Sequence, residues 1–240
     1  MKLGAVDLQR VLGIFALIVL AFASASCGVT GRSVETSSAP RNPDQARLLG
    51  QNDFPPGYTT SPGNVDSAER ARSQSDLVNG RVNKNAACAK LTADQVPLIA
   101  KSQRTGVVAI PKRPDDARYS ETIIRNGQTL DDQRALAEVC RSAVSMVPGV
   151  GETLEKYTVV PAPLGIDADD CLVIQIDVTT DPSPSSGEAP RRRQTVVGFA
   201  QLGNVQVEFY QEVDGLGAAP DTAQFNELFA KAVRRASRLQ

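Results

Sequence analysis

Thr-Val-Val-Gly-Phe-Ala-Gln-Leu (195–202), Gly-Asn (203–204) and Val-Gln-Val-Glu-Phe-Tyr-Gln (205–211) form the stretch on which the fold turns. Two runs rich in β-branched and aromatic residues meet at a glycine–asparagine pair, the short-range signature of a two-residue hairpin. In the second run Val207 and Phe209 alternate with Gln206, Glu208 and Tyr210, so the period of two predicts one apolar face and one wet face.

The same alternation recurs upstream. Leu172, Ile174, Ile176 and Val178 share one side of a predicted strand, with Gln175 and Asp177 opposite. Residues 117–125 place Tyr119, Glu121 and Ile123 on one face and Ser120, Thr122 and Ile124 on the other, until Asn126-Gly127 breaks the run. Residues 58–60, 105–110 and 154–160 read as further strands, and 181–190, with its prolines and serines, as a loop. Downstream of the hairpin the period changes. Asp221 caps a helix whose Phe225, Leu228, Phe229, Ala232, Val233 and Ala236 form one apolar stripe.

Three other helices are expected. Asn42 and Pro43 open a short one that Gly50 stops. Thr92 and Gln95 have capping-box spacing, which starts a helix at Thr92 and leaves Pro97 in its first turns. Residues 129–146 carry Leu136, Val139, Cys140 and Ala143, with Val147 next, at i, i+3, i+4, i+7 and i+11, one apolar stripe, and read as a helix ended by Pro148-Gly149. Residues 66–79 are a loop or a solvated helix. Short alternating strands between helices define an α+β fold: one mainly antiparallel sheet with helices packed on one face, in a single domain.

Composition narrows the chemistry. The chain has 240 residues, 41% of them hydrophobic, enough for a packed core, and a net charge of −1. That balance gives no basic excess for nucleic acid. With no histidine, Ser-His-Asp and Cys-His machinery and imidazole metal sites are excluded. With no tryptophan and 5% aromatics, a stacked-sugar platform is not expected. No cofactor is implied.

Residues 11–22 are apolar and uncharged, Lys2 and Arg10 precede them, and Ala23-Ser24-Ala25-Ser26-Cys27 follows. These are the parts of an export signal, too short for a permanent span of about 20 residues. Ser24-Ala25-Ser26-Cys27 resembles the lipobox of bacterial lipoproteins, which implies cleavage after residue 26 and diacylglyceryl attachment at Cys27. The expected organisation is a signal peptide (1–26), a Ser/Thr/Gly/Pro-rich flexible tether (27–42) and an extracytoplasmic domain (43–240).

Within that domain Leu48-Leu49, Asp53-Phe54-Pro55-Pro56-Gly57-Tyr58, Cys88-Ala89-Lys90-Leu91-Thr92 and a helix reaching Cys140 follow one another. This order resembles a group of mycobacterial and related actinobacterial lipoproteins of uncharacterised function. They are similar in turn to the extracellular sensor domains of actinobacterial serine/threonine kinases. The resemblance implies a compact α+β domain outside the membrane with no established activity, and a disulfide between Cys88 and Cys140. Loop closure alone does not choose between that pair and Cys140 with Cys171, since either contributes about 4 kcal/mol through the unfolded state. Cys171 opens a strand and reads as a buried, inert thiol, its pKa raised by Asp169-Asp170.

Three charged clusters remain. Asp167, Asp169 and Asp170 lack the spacing of a calcium loop and read as an acidic turn, so no metal site is expected. The carboxylates of Asp115-Asp116, Asp131-Asp132, Glu152 and Glu155 carry no sugar-binding aromatics with them. Arg191, Arg192 and Arg193 are a candidate patch for an anionic partner. The functional expectation is a non-catalytic, lipid-anchored envelope protein at the outer face of the cytoplasmic membrane, acting as a ligand-binding or sensor-like module. Its partners are the membrane through the anchor and a lipid, a glycan or an envelope protein. The alternatives are a structural protein using an exposed face and a histidine-free hydrolase of the Ser-Lys kind.

Overall fold

The computed structural model describes residues 42–63, 66–79, 82–113, 115–147, 151–182, 189–215 and 219–238. The export stretch, Cys27, the tether up to residue 41 and Pro148-Gly149 lie outside the described residues. Nine strands form one sheet: β1 (Tyr58–Gly63), β2 (Val82–Asn83), β3 (Gln103–Pro111), β4 (Arg118–Arg125), β5 (Ser142–Val147), β6 (Gly151–Val160), β7 (Asp170–Pro182), β8 (Arg191–Leu202) and β9 (Val205–Asp214). Their spatial order is β1-β3-β4-β9-β8-β7-β6-β5-β2, and every neighbouring pair is antiparallel. The helices are α1 (Ser67–Asn79), α2 (Ala86–Lys101), α3 (Leu130–Val139) and α4 (Thr222–Ser237), preceded by 3-10 turns at Pro43–Arg47 and Gln51–Asp53.

The predicted hairpin joins β8 to β9 with Leu202 opposite Val205. Gly203, at φ 57°, takes the first turn position, where a side chain would be strained. From the hairpin outward, Val207, Phe209, Ala200 and Val196 turn to the face that α4 covers, and Phe225, Phe229, Ala232, Val233 and Ala236 of α4 are fully enclosed there. Six aromatic contacts run through this core, from Tyr58 on Tyr119 (5.3 Å) through Phe209 to Phe225 and Phe229, with Phe54 also on Tyr119. Gly198 lets the helix approach. A Cβ there would stand 2.7 Å from the Phe229 ring.

The α+β class and the single antiparallel sheet are as expected, but the placement of the helices is corrected: they cover both faces. Leu130 and Ala137 of α3 pack on Leu172, Ile174, Val197 and Phe199, the side opposite α4. The face of β9 expected to be wet is therefore buried, with Gln206 at 4% and Glu208 at 2% exposure. Alternation reports which residues share a face. It does not report what covers that face.

Two helix boundaries also differ. The second helix begins at Ala86 because the Asn85 side chain accepts the Cys88 N–H at 3.1 Å, six residues before the expected cap. Thr92 instead donates its hydroxyl to the Cys88 carbonyl, and Pro97 sits in the helix interior. In the middle region α3 is opened by a reciprocal Thr129–Asp132 capping box and stops at Val139; residues 142–147 are strand β5, not helix. Over so few residues a 3-4 stripe and a period of two share positions, and Ala143 and Ser145 are buried in strand alternation. Cys140 caps α3 and is bonded to Cys88, a bridge of sequence separation 52 with Cα atoms 5.0 Å apart.

Edge strand β1 is shielded locally. Gln51 donates its side-chain N–H to the Tyr58 carbonyl and accepts from the Thr60 N–H, both at 2.8 Å, occupying ladder positions that another strand could use. Gly198→Ala, by overpacking against Phe229, is expected to cost roughly 1–3 kcal/mol in urea unfolding with an unchanged slope.

Candidate functional site

The face opposite α4 divides into two zones. Beneath the helices it is enclosed, with the apolar cluster under α3 and a polar layer beside it. Glu208 is held by Arg104 (3.3 Å) and Arg70 of α1 (3.6 Å), with side-chain exposures of 3%, 2% and 14%. Burial pulls the Arg104 guanidinium below its ordinary pKa, and Glu208 acts against that. Beside this cluster four buried glutamines interlock. Gln128 donates to Gln95 (2.6 Å), Gln133 to Gln128 (2.8 Å), Gln206 to the Gln128 carbonyl and Gln95 to the Asp132 carbonyl (both 3.2 Å). This layer joins α2, α3 and β9 through hydrogen bonds rather than apolar lining.

Further along the strands the same face becomes partly exposed, with the Arg193 side chain at 23% and Glu212 at 12%, while Thr195 and Glu155 stay buried. Register aligns Arg118, Glu212, Thr195 and Ile176 across β4, β9, β8 and β7, and Asp214, Arg193, Val178 and Glu155 in the next row. Cross-strand alignment puts each row on one face. Arg193 binds Asp214 at 2.8 Å and stands 3.8 Å from Glu212. One oxygen of Glu212 is buried without a hydrogen-bond partner, and burial raises its pKa against the pull of Arg193. The band alternates cations, carboxylates and a hydroxyl around Ile176 and Val178. Donors, acceptors and apolar contact of this kind suit recognition of a polar ligand.

The structure separates the arginine run. Arg192 points to Asp177 on one side of β8 at 3.2 Å, and Arg193 joins the band on the other. The acidic turn is also committed, since Asp169 accepts the Gly203 N–H and Asp170 is bound by Arg134 at 2.5 Å. Among the described residues no group of three His, Cys, Asp or Glu side chains is placed to share a metal ion. Of the lysines, Lys84, Lys90 and Lys231 are tied to Glu152, Asp94 and Asp53, while Lys101, Lys112 and Lys156 are exposed.

Cys171 is a free, half-buried thiol whose pKa burial and then Asp170 push up to about 11. The Arg70–Arg104–Glu208 cluster and the glutamine layer escaped sequence reading. Their members lie far apart in the chain, and no spacing rule links them.

The fold defines a disulfide-bonded, single-sheet α+β domain. No protein-family model and no curated protein matches the chain. Among solved structures it is similar to an uncharacterized Mycobacterium smegmatis protein, an Rv0999 ortholog. The TM-score is 0.46 and the identity 17%, over 78% of this chain and 93% of that one. It is also similar to the extracellular domain of PknH from Mycobacterium tuberculosis, with a TM-score of 0.46 and 12% identity over 81% and 94% of the two chains.

With its pKa near 11, Cys171 is expected to react with iodoacetamide at pH 8 about a hundredfold more slowly than an ordinary thiol, read by mass spectrometry. Labelling at the ordinary rate would show that the thiol is neither buried nor under the influence of Asp170.

Proposed function

We propose that this chain is a non-catalytic lipoprotein of the cell envelope, anchored at Cys27, whose residues 43–240 form a sensor-like accessory domain. A signal-like stretch ending in Ser-Ala-Ser-Cys supports export and lipidation at the outer face of the cytoplasmic membrane. The observation that carries the reading is the Cys88–Cys140 disulfide, a bond kept in oxidising compartments and rare in the cytosol. The ligand surface in this reading is the partly buried band of Arg118, Glu212, Arg193 and Ile176 around the buried Thr195, and its partner a hydroxyl-bearing lipid or glycan group. A recognition role is supported by the mix of cation, carboxylate and apolar side chains in that band and by a chain free of histidine.

The test is the intact mass of the membrane-fraction protein before and after reduction and alkylation. The expected species starts at Cys27, carries a diacylglyceryl group, and gains two labels on reduction in addition to the one at Cys171. An unlipidated chain retaining residues 1–26, or a reduced Cys88, would overturn the reading.

A further inference from the structure

The α4 side of the sheet holds a group that neither packing nor the proposed ligand band uses. Glu121 lies on central strand β4 at 0% exposure, between Val107 and Phe209 on the adjoining strands. One carboxyl oxygen accepts the Leu49 N–H at 2.7 Å, and the other has no partner. Leu49 belongs to residues 42–54, the start of the first described segment, which lie as a strap across β3, β4 and α4. Asn42 donates to Thr105 (2.6 Å), Arg125 grips Asp44 through two bonds of 2.9 Å, and Lys231 and Arg235 hold Asp53 at 2.9 Å. The strap's own Leu48, Leu49 and Phe54 are buried against the core. The Leu49 N–H at the strap's centre is thus bound to a carboxyl that is comfortable there only when neutral.

We propose that Glu121 is a proton-dependent latch: the strap of residues 42–54 is seated over the neutral carboxyl and opens more readily as the pH rises. Burial holds the carboxyl up at about 8, opposed by the Leu49 N–H and Arg235 and aided by Asp53. When the strap lifts, water reaches the group and its pKa returns toward the ordinary 4.5. The seated state therefore binds the extra proton between those values. Opening increases about tenfold per pH unit across that window and levels off above it.

The other groups facing this site do not supply that slope. Asp44 is held below the usual carboxylate range by Arg125, with Arg47 beside it. Burial works against the charge of Asp53, but the Gly50 N–H, Lys231 and Arg235 outweigh it and keep its pKa low. Burial raises Tyr119 and Tyr58, which titrate above the window. The neighbours on β3 and β9 are Val107, Phe209 and Gln211, all uncharged. Given the Cys27 anchor proposed above, an opened strap would add about 45 Å of reach between membrane and domain. The latch itself does not depend on that anchor.

The test is amide exchange on the full chain in detergent at pH 5, 6 and 7, corrected for intrinsic rates. The opening constant at Leu49 is expected to rise about tenfold per unit and to exceed that at Val207 at every pH. In Glu121→Gln, which keeps an acceptor for the Leu49 N–H, it should not vary with pH. A flat profile in the wild type, a slope that survives in Glu121→Gln, or equal protection at Leu49 and Val207 would each overturn the proposal. The carboxyl resonance of Glu121 gives a second reading on unaltered protein. A midpoint near 8 is expected, and one in the ordinary carboxylate range would overturn the latch.

Discussion

Glu208 is a charge that this fold must satisfy. It lies on the strand that pairs with β4 and β8, it is enclosed, and its partners Arg104 and Arg70 come from β3 and α1. Leaving such a charge unpaired in a protein interior is strongly destabilising, so the helix, the strand and the sheet centre must reach their places together. Beside that charge the same rule is met with neutral groups: the glutamine layer satisfies α2, α3 and β9 against one another. The disulfide then holds the start of α2 to the end of α3, the two helices that carry Gln95 and Gln133.

The opposite face is organised by shape. Gly198 opens a slot for Phe229, and the aromatic run from Tyr58 to Phe225 fills the space between strands and helix. Apolar burial of this kind is nondirectional and tolerates conservative change better than the paired charges do. Glu121 is the exception on that face, a carboxyl in a hydrocarbon setting met by a single backbone N–H. One sheet therefore carries an apolar face with an embedded acid and, opposite it, an apolar cluster under α3, a sealed polar layer and a partly exposed band of mixed charge.

Much of this architecture was legible in the sequence. The alternation of Val207 and Phe209 with Gln206 and Glu208, the Gly203-Asn204 turn and the α4 stripe located the central hairpin and its apolar cover. Asn126, at φ 54°, and Gly127 ended β4 as the pair predicts. Local patterns failed where two of them compete. The capping box at Thr92 lost to the Asn85 cap, which gives α2 two further turns. The stripe through Cys140 and Ala143 concealed a switch from helix to strand. The buried ion cluster and the strap contacts were not legible at all, because Arg70, Arg104, Glu121 and Glu208 acquire their roles only from long-range pairing. The candidate band depends on the same pairing, since only register brings Arg118, Glu212 and Thr195 into one row.

The dependence of the fold on satisfied charge beneath the helices is tested most directly by a double-mutant cycle on Arg104 and Glu208, read by equilibrium urea unfolding. Arg104→Met leaves Glu208 enclosed with only Arg70, and Glu208→Leu leaves both guanidiniums without their acid. Each single change is predicted to cost about 3–5 kcal/mol. The double variant should lose far less than the sum, because its remaining cation, Arg70, is the more exposed and can turn to water. Additive losses, or an Arg104→Met variant as stable as the parent, would contradict the account.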